Sequence, residues 1–299
     1  MFEPRIKVVT PLCTEDLPNS HISRTAPEAQ QESFWSAPGG TLGQLLQLTG
    51  ARIEQLLPKR RELERAAAGT PAALAFVEAL GGQSVSVIAE LKRRSPSRGD
   101  LDPTLRAGER AAAYARGGAA AISVLTEPSR FGGSVEDLRE VADAVEVPVL
   151  RKDFIVHEVQ ILETRALGAS AVLLIARALP PAALDALVRA AREYGIEPLV
   201  EVRSRAELDR AVDSGATIIG VNARDLETLA IDEAVPLELL GRVPREATAV
   251  AESGIRGRAS VEALARAGAD AVLVGSALSV ASDPEQAVRD LSGVSRMRR

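Results

Sequence analysis

The chain has 299 residues, 46% of them apolar, and a formal net charge of −5. That length suits one large domain or two small ones, and the acidic balance argues against a general nucleic-acid or membrane-surface binder. A lone cysteine, Cys13, excludes an intrachain disulfide and a thiolate metal site, and two histidines, His21 and His157, exclude a histidine-rich one. With no 18-residue apolar run and no basic-then-apolar start, the expectation is a cytoplasmic protein without membrane span, secretory signal or metal. Residues 1–40 read as an irregular extension ending in Pro38-Gly39-Gly40, with Phe34 and Trp35 as candidates to pin it. Thr41 is placed to cap a helix running through Leu45, Leu46, Ile53, Leu56 and Leu57. Its charged tail, Lys59 to Arg65, reads as a solvated face. A second short helix follows Pro71, from Ala72 to Leu80, and Gly81-Gly82 stops it.

From Val85 short apolar runs alternate with amphipathic stretches. The spacing predicts strands over 85–91, 120–125, 147–151, 171–176, 197–202, 217–222, 247–252 and 271–275. Helices follow over 104–117, 135–145, 157–168, 181–194, 204–214, 231–240, 257–267 and 284–291. Gly118-Ala-Ala-Ala-Ile, Gly168-Ala-Ser-Ala-Val, Gly215-Ala-Thr-Ile-Ile and Gly268-Ala-Asp-Ala-Val recur at intervals of 50, 47 and 53 residues. Each glycine closes a helix where a left-handed backbone is easiest without a β-carbon, and each following run is a buried strand. Even repetition without a long crossover favours an α/β fold of the (β/α)8 TIM barrel type, with extra N-terminal helices at 41–80 and the barrel spanning 41–295. An open doubly wound sheet is the alternative, but the segment after the first strand has no G-x-G-x-x-G.

In such barrels chemistry sits at the C-terminal ends of the strands. Those ends carry Glu90 and Lys92, then Arg151-Lys152-Asp153, Glu201, Asn222 with Arg224, Glu252-Ser253-Gly254 and Gly275-Ser276. Glu90 and Lys92 stand two apart on one strand and so face the same space. A single charge at a strand end is most often merely solvated; ionisable groups converging from several strands are not. The two Gly/Ser pairs after strands seven and eight suit a phosphate, because glycine admits close backbone approach.

These residues carry a resemblance. Glu90-Leu-Lys92-x-x-Ser95-Pro96-Ser97, Leu125-Thr126-Glu127 with Phe131-Gly132-Gly133-Ser134, Arg151-Lys152-Asp153-Phe154-Ile155, Glu201-Val202, Gly220-Val-Asn222-Ala-Arg224-Asp225-Leu226, Glu252-Ser253-Gly254-Ile255 and Gly275-Ser276 resemble the indole-3-glycerol-phosphate synthase family, over residues 41–291. The resemblance implies a carboxy-lyase of tryptophan biosynthesis. Its reaction converts 1-(2-carboxyphenylamino)-1-deoxyribulose 5-phosphate to indole-3-glycerol phosphate, CO2 and water. It further implies Lys152 as general acid in ring closure and Glu201 as a general base in the dehydration. Glu90 and Lys92 complete the catalytic group, with Asn222 and Ser253 as polar partners. How acid and base duties divide among Glu90, Lys92 and Glu201 in the dehydration stays open. Arg224 would hold the substrate carboxylate, and Ser95, Gly254, Gly275 and Ser276 the phosphate. Phe131, Phe154 and Leu173 would enclose the aromatic ring, with ordinary core filling as the competing reading of both phenylalanines. The aniline nitrogen supplies the electrons for ring closure, so no cofactor is expected. The expected partner is the phosphorylated small molecule, with no nucleic acid or membrane, on a monomer or weak homo-oligomer.

The polar, charged loop from Arg93 to Asp102 reads as a lid. His157 reads as a surface residue at a helix start, and the first 40 residues have no assigned role. A Schiff-base aldolase using Lys92 or Lys152 is the rival enzyme, although Glu90 and Asp153 beside them favour the charged amine. A non-catalytic barrel serving as an assembly partner would predict gaps in the catalytic set.

Overall fold

The computed structural model describes residues 36–95, 99–102, 104–297 and 299. The expectations resting on Cys13, His21, Phe34, Trp35 and Ser97, and on most of the 1–40 extension, lie outside the described residues. Eight parallel strands close into a barrel: Ser86–Leu91, Ala121–Leu125, Val149–Lys152, Ala171–Ile175, Glu197–Val202, Ile218–Asn222, Thr248–Glu252 and Ala271–Val274. The first pairs with both the second and the eighth, so the sheet has no edge. Nearly every strand residue is buried, because crossover helices cover the outside and side chains fill the inside. Predicted strand ends move by only one or two residues. The four repeat glycines do adopt positive φ, at 94°, 85°, 78° and 101°.

The register fixes which residues face the barrel axis. Glu90 pairs with Ser123, Leu125 with Lys152, Ile175 with Glu201, Glu201 with Gly220, and Asn222 with Glu252. Paired residues point to the same side, so the predicted strand-end charges form one inward layer. Below it lies an apolar layer including Ile88, Leu150, Leu199 and Val250. Arg151 departs from the strand-end expectation. It stands between inward Leu150 and Lys152 and faces outward, where it is 2% exposed. Its guanidinium bonds Glu163 at 2.8 Å, Thr126 and Thr164 at 3.1 Å, and Asp153 at 3.3 Å.

The N-terminal helices also depart from expectation. The single long helix is divided into Gly40–Leu56, a 3-10 turn at Leu57–Lys59 and a helix at Arg60–Gly69. Pro58 lies in the turn, where it withholds a backbone donor. Only Phe76–Ala79 of the predicted 72–80 helix forms. Thr41 is not the cap: the helix starts at Gly40, and Gly39 provides no side-chain bond. The start is set by docking. Thr41 N–H donates to the Glu227 carbonyl at 3.2 Å, and a β-carbon on Gly40 would lie 2.6 Å from that oxygen. Arg60, in the charged tail, reaches Glu158 at 2.7 Å instead of facing only water. After the first strand, Arg94–Ser95 and Gly99–Asp100 form a small antiparallel pair that the sequence pattern did not reveal.

Candidate active site

A cavity of about 640 Å³ opens at the C-terminal ends of the strands. Of the candidate residues, Glu90, Lys92, Lys152, Glu201, Asn222, Arg224 and Ser253 line it. So do Gly254, Gly275 and Ser276, and the apolar set Phe131, Phe154 and Leu173. The rings of Phe131 and Phe154 lie 6.4 Å apart, tilted by 34°. Ser95 is the exception: it is buried in the small antiparallel pair and does not line the cavity.

Lys152 is the hub. Its ammonium lies 2.8 Å from Glu252 and 3.2 Å from Glu201, both carboxylates almost wholly buried. Burial alone would lower the lysine's pKa, but the fields of Glu252, Glu201 and Glu90 outweigh it and push it up. Lys92 bonds Glu90 at 2.8 Å. Burial opposes charge on Glu90, yet Lys92, Lys152 and Arg224 hold its pKa below the usual carboxylate range. Glu252 goes the other way. Burial pushes it up to about 7; Lys152 opposes this, and Glu201 adds to it.

Two glycines make this packing possible. A β-carbon at Gly220 would lie 2.1 Å from Glu252 Oε1, and one at Gly275 would lie 2.1 Å from Glu90 Oε1. Gly275 therefore serves carboxylate packing whatever its part in ligand binding. Ser253 takes a left-handed φ of 66°, unusual for a residue with a β-carbon, and Gly254 follows at 74°. Gly275 leads directly into the four-residue helix Ser276–Ser279, whereas the helix after Gly254 begins only at Arg258. Asn222 Oδ1 accepts from the Arg224 backbone N–H at 2.9 Å, and Arg224 Nη1 donates to the Leu229 carbonyl at 3.0 Å.

The lysine's position is fixed from outside the barrel. Asp153 accepts from Arg52 at 2.8 and 2.9 Å, from Thr126 Oγ1 at 2.7 Å and from the Phe154 backbone at 2.8 Å. Burial opposes its charge, but Arg52 and Arg151 keep its pKa low. Arg52 comes from the N-terminal helix, which thereby braces the segment carrying both Lys152 and Phe154. His157 is a helix cap: its Nδ1 accepts from the Val159 N–H at 3.1 Å.

The sequence reading gives Glu252 and Gly220 no role, although both stand in its motifs, and does not reach Arg52. Glu252 was reachable by parity, since it shares the inward register of Asn222 on the neighbouring strand. A glycine inside a strand, as at Gly220, marks close approach by another group. Arg52 gave no signal, because its contact is 101 residues away. Among the described residues no group of His, Cys, Asp and Glu is arranged to hold a metal ion, and no helix is long and apolar enough to cross a membrane.

Residues 45–291 match the family model for indole-3-glycerol phosphate synthase. The chain belongs to the indole-3-glycerol phosphate synthase family. Indole-3-glycerol phosphate synthase 2 of Streptomyces coelicolor is 49% identical over 245 residues, 82% of this chain and 94% of that protein. The Nocardioides family member is 55% identical over 209 residues, 70% of this chain and 80% of its own. Membership makes the chain a carboxy-lyase of tryptophan biosynthesis, as the resemblance implied. A solved 3-hexulose-6-phosphate synthase from Salmonella typhimurium aligns with a TM-score of 0.57 at 20% identity, covering 69% of this chain and 96% of that one. At that identity the likeness speaks for the barrel alone.

Proposed function

We propose that the cavity binds 1-(2-carboxyphenylamino)-1-deoxyribulose 5-phosphate and that Lys152 is the acid of its ring closure to indole-3-glycerol phosphate. The observation that carries this is Lys152 itself, a charged ammonium held between two buried carboxylates at the cavity wall. The aniline nitrogen raises electron density at the ring carbon that bears the carboxylate. That carbon attacks the sugar ketone, and negative charge grows on the ketone oxygen. A fixed cation at that oxygen stabilises the charge, and its proton completes the alcohol. Loss of CO2 restores the electron pair to the ring. Loss of the hydroxyl with a ring proton then yields the indole and one water.

Glu201 is the base for the dehydration, with Glu90 and Lys92 as the second acid–base pair. Asn222 and Ser253 are polar partners. Arg224 suits the substrate carboxylate, and a guanidinium can bind one through two parallel hydrogen bonds. Gly254, Gly275 and Ser276 suit the phosphate; Ser95, off the cavity wall, would join them only through movement of its loop. Phe131, Phe154 and Leu173 suit the aromatic ring. Glu252 joins the catalytic group as the closest partner of Lys152.

A Schiff-base aldolase needs a neutral lysine, and the carboxylates around Lys152 raise its pKa instead. The loop from Arg93 to Asp102 is read as a lid whose base is tied by Arg93 to Asp137 at 2.6 Å. Residues 41–295 are read as the catalytic domain, 1–40 as an extension, and the chain as a cytoplasmic monomer or weak homo-oligomer without nucleic-acid partners. The family match over 45–291 and burial of Val294 in the core support the domain assignment.

The test is the indole fluorescence that appears when the purified protein meets the carboxyphenylamino substrate. Lys152→Ala should lower kcat by on the order of 10³ with substrate binding retained. No fluorescence from the wild type would refute the function. Undiminished turnover in Lys152→Ala would refute the lysine's role.

A further inference from the structure

We propose that Arg256 captures the substrate's phosphate at the cavity mouth, exchanging the carboxylate of Glu233 for the phosphate as the ligand enters. This rests on the reading that the phosphate end of the cavity is at Gly254, Gly275 and Ser276. Arg256 lines that cavity and lies two residues beyond Gly254 on the same loop. Its Nη2 meets Glu233 Oε1 at 2.8 Å. The Glu233 side chain lies against Gly254: a β-carbon there would be 3.4 Å from Glu233 Cγ. The ion pair thus stands directly beside the proposed phosphate position.

Among the described residues, the two lysines that line the cavity are committed elsewhere. Lys92 is held by Glu90 and Lys152 by Glu201 and Glu252, all three carboxylates at most 5% exposed at the side chain. The Arg256–Glu233 pair differs, with side chains 81% and 57% exposed. An exposed pair of this kind contributes little and is readily exchanged, whereas breaking a buried one is costly. A phosphate carrying roughly two negative charges and offering several acceptor oxygens outcompetes a single solvated carboxylate for a guanidinium. Glu233 meanwhile holds Arg256 at the mouth and away from the carboxylates deeper in the cavity. Rim charges of this type act mainly on capture and its salt dependence, and little on the chemical step.

The experiment measures kcat and KM by indole fluorescence at several salt concentrations for the wild type, Arg256→Ala and Glu233→Gln, with inorganic phosphate as a competitive inhibitor. Arg256→Ala should raise KM and the phosphate inhibition constant by roughly five- to tenfold, with kcat unchanged and a shallower salt dependence of kcat/KM. Glu233→Gln should lower KM by about twofold, because the arginine no longer has a competing carboxylate. A wild-type KM in Arg256→Ala overturns the capture. A raised KM in Glu233→Gln overturns the exchange. A wild type without turnover would instead overturn the proposed function.

Discussion

Replacing Gly220 by alanine tests whether the site is built by backbone space as much as by charge. Gly220 lies in the sixth barrel strand, paired with Glu201 on one side and Val250 on the other, and faces the axis. An added β-carbon would sit 2.1 Å from Glu252 Oε1, 3.2 Å from its Cδ and 2.9 Å from Leu199 Cδ2. No real β-carbon tolerates the first contact, so the carboxylate must swing. Its Oε2 is already 2.8 Å from Lys152, and the same β-carbon crowds Leu199 on its other contact. Overpacking of a close-packed interior costs about 1–3 kcal/mol, and loosening a buried ion pair adds to it. A total of about 3 kcal/mol lowers Tm by roughly 6–12 °C in a domain of this size. The displaced partner also frees Lys152, so kcat should fall by about tenfold or more. Thermal denaturation followed by circular dichroism and the fluorescence assay measure the two effects. The clash has a defined other half. Glu252→Ala removes it, so Gly220→Ala should cost much less in that background, a coupling that a double-mutant cycle reads directly. A Gly220→Ala protein with wild-type Tm and kcat, or costs that simply add with Glu252→Ala, would refute the reasoning.

Glu252, held protonated to about pH 7 in the fold against an ordinary 4.5, makes the folded state bind an extra proton between those values. Its contribution to stability is therefore full below the lower value and lost as pH rises through the upper one, with a slope of at most about 1.4 kcal/mol per pH unit. Glu252→Gln should remove that slope from a series of urea midpoints, and an unchanged difference from wild type across the window would count against the assignment. At the opposite end of the barrel, Asp270 is 2% exposed, accepts from the Ala249 N–H at 2.8 Å and binds Arg299 at 2.6 Å. Asp270→Ala should cost about 3–5 kcal/mol in denaturant unfolding while leaving kcat of the folded protein intact; lost activity at unaltered stability would contradict this. Gly50 sits inside the first helix with nothing within 4 Å of an added β-carbon. Gly50→Ala should stabilise by about 1 kcal/mol and raise Tm by roughly 2–4 °C, and a fall in Tm would show an unseen contact.

The barrel was legible because its signals are local and repeated. Helix-closing glycines and buried runs recur at near-constant spacing, and closure then follows from eight equivalent units. The inward ring was legible in part for the same reason, since strand ends and parity place Glu90, Lys152, Glu201 and Asn222 together. Parity was also available for Arg151, which cannot face the axis beside Lys152, and for Glu252 at the level of Asn222. What the pattern could not carry were contacts set by docking. The Arg52–Asp153 pair, the Gly40 contact with Glu227 and the placement of Ser95 depend on how helix and loops settle on the barrel, and no periodicity encodes that.

Three buried carboxylates at one barrel end are an expensive arrangement. The opposite layers show the cheaper one, Ile, Leu and Val filling the axis without charge. Here the cost is offset in three different ways. Glu90 is neutralised by Lys92 just past the end of its strand, Glu201 by Lys152, and Glu252 in part by a proton, because one lysine cannot serve two buried carboxylates fully in so little solvent. The glycines at 220 and 275 then give up side-chain packing so that these groups fit. Each concession is destabilising alone and makes sense only if the charges are needed where they stand. Lys152 stays protonated because carboxylates surround it, and Glu252 shifts toward neutral pH because it shares that lysine. The acid and the titratable group beside it are therefore two consequences of one cluster. A change to either moves the pKa of both.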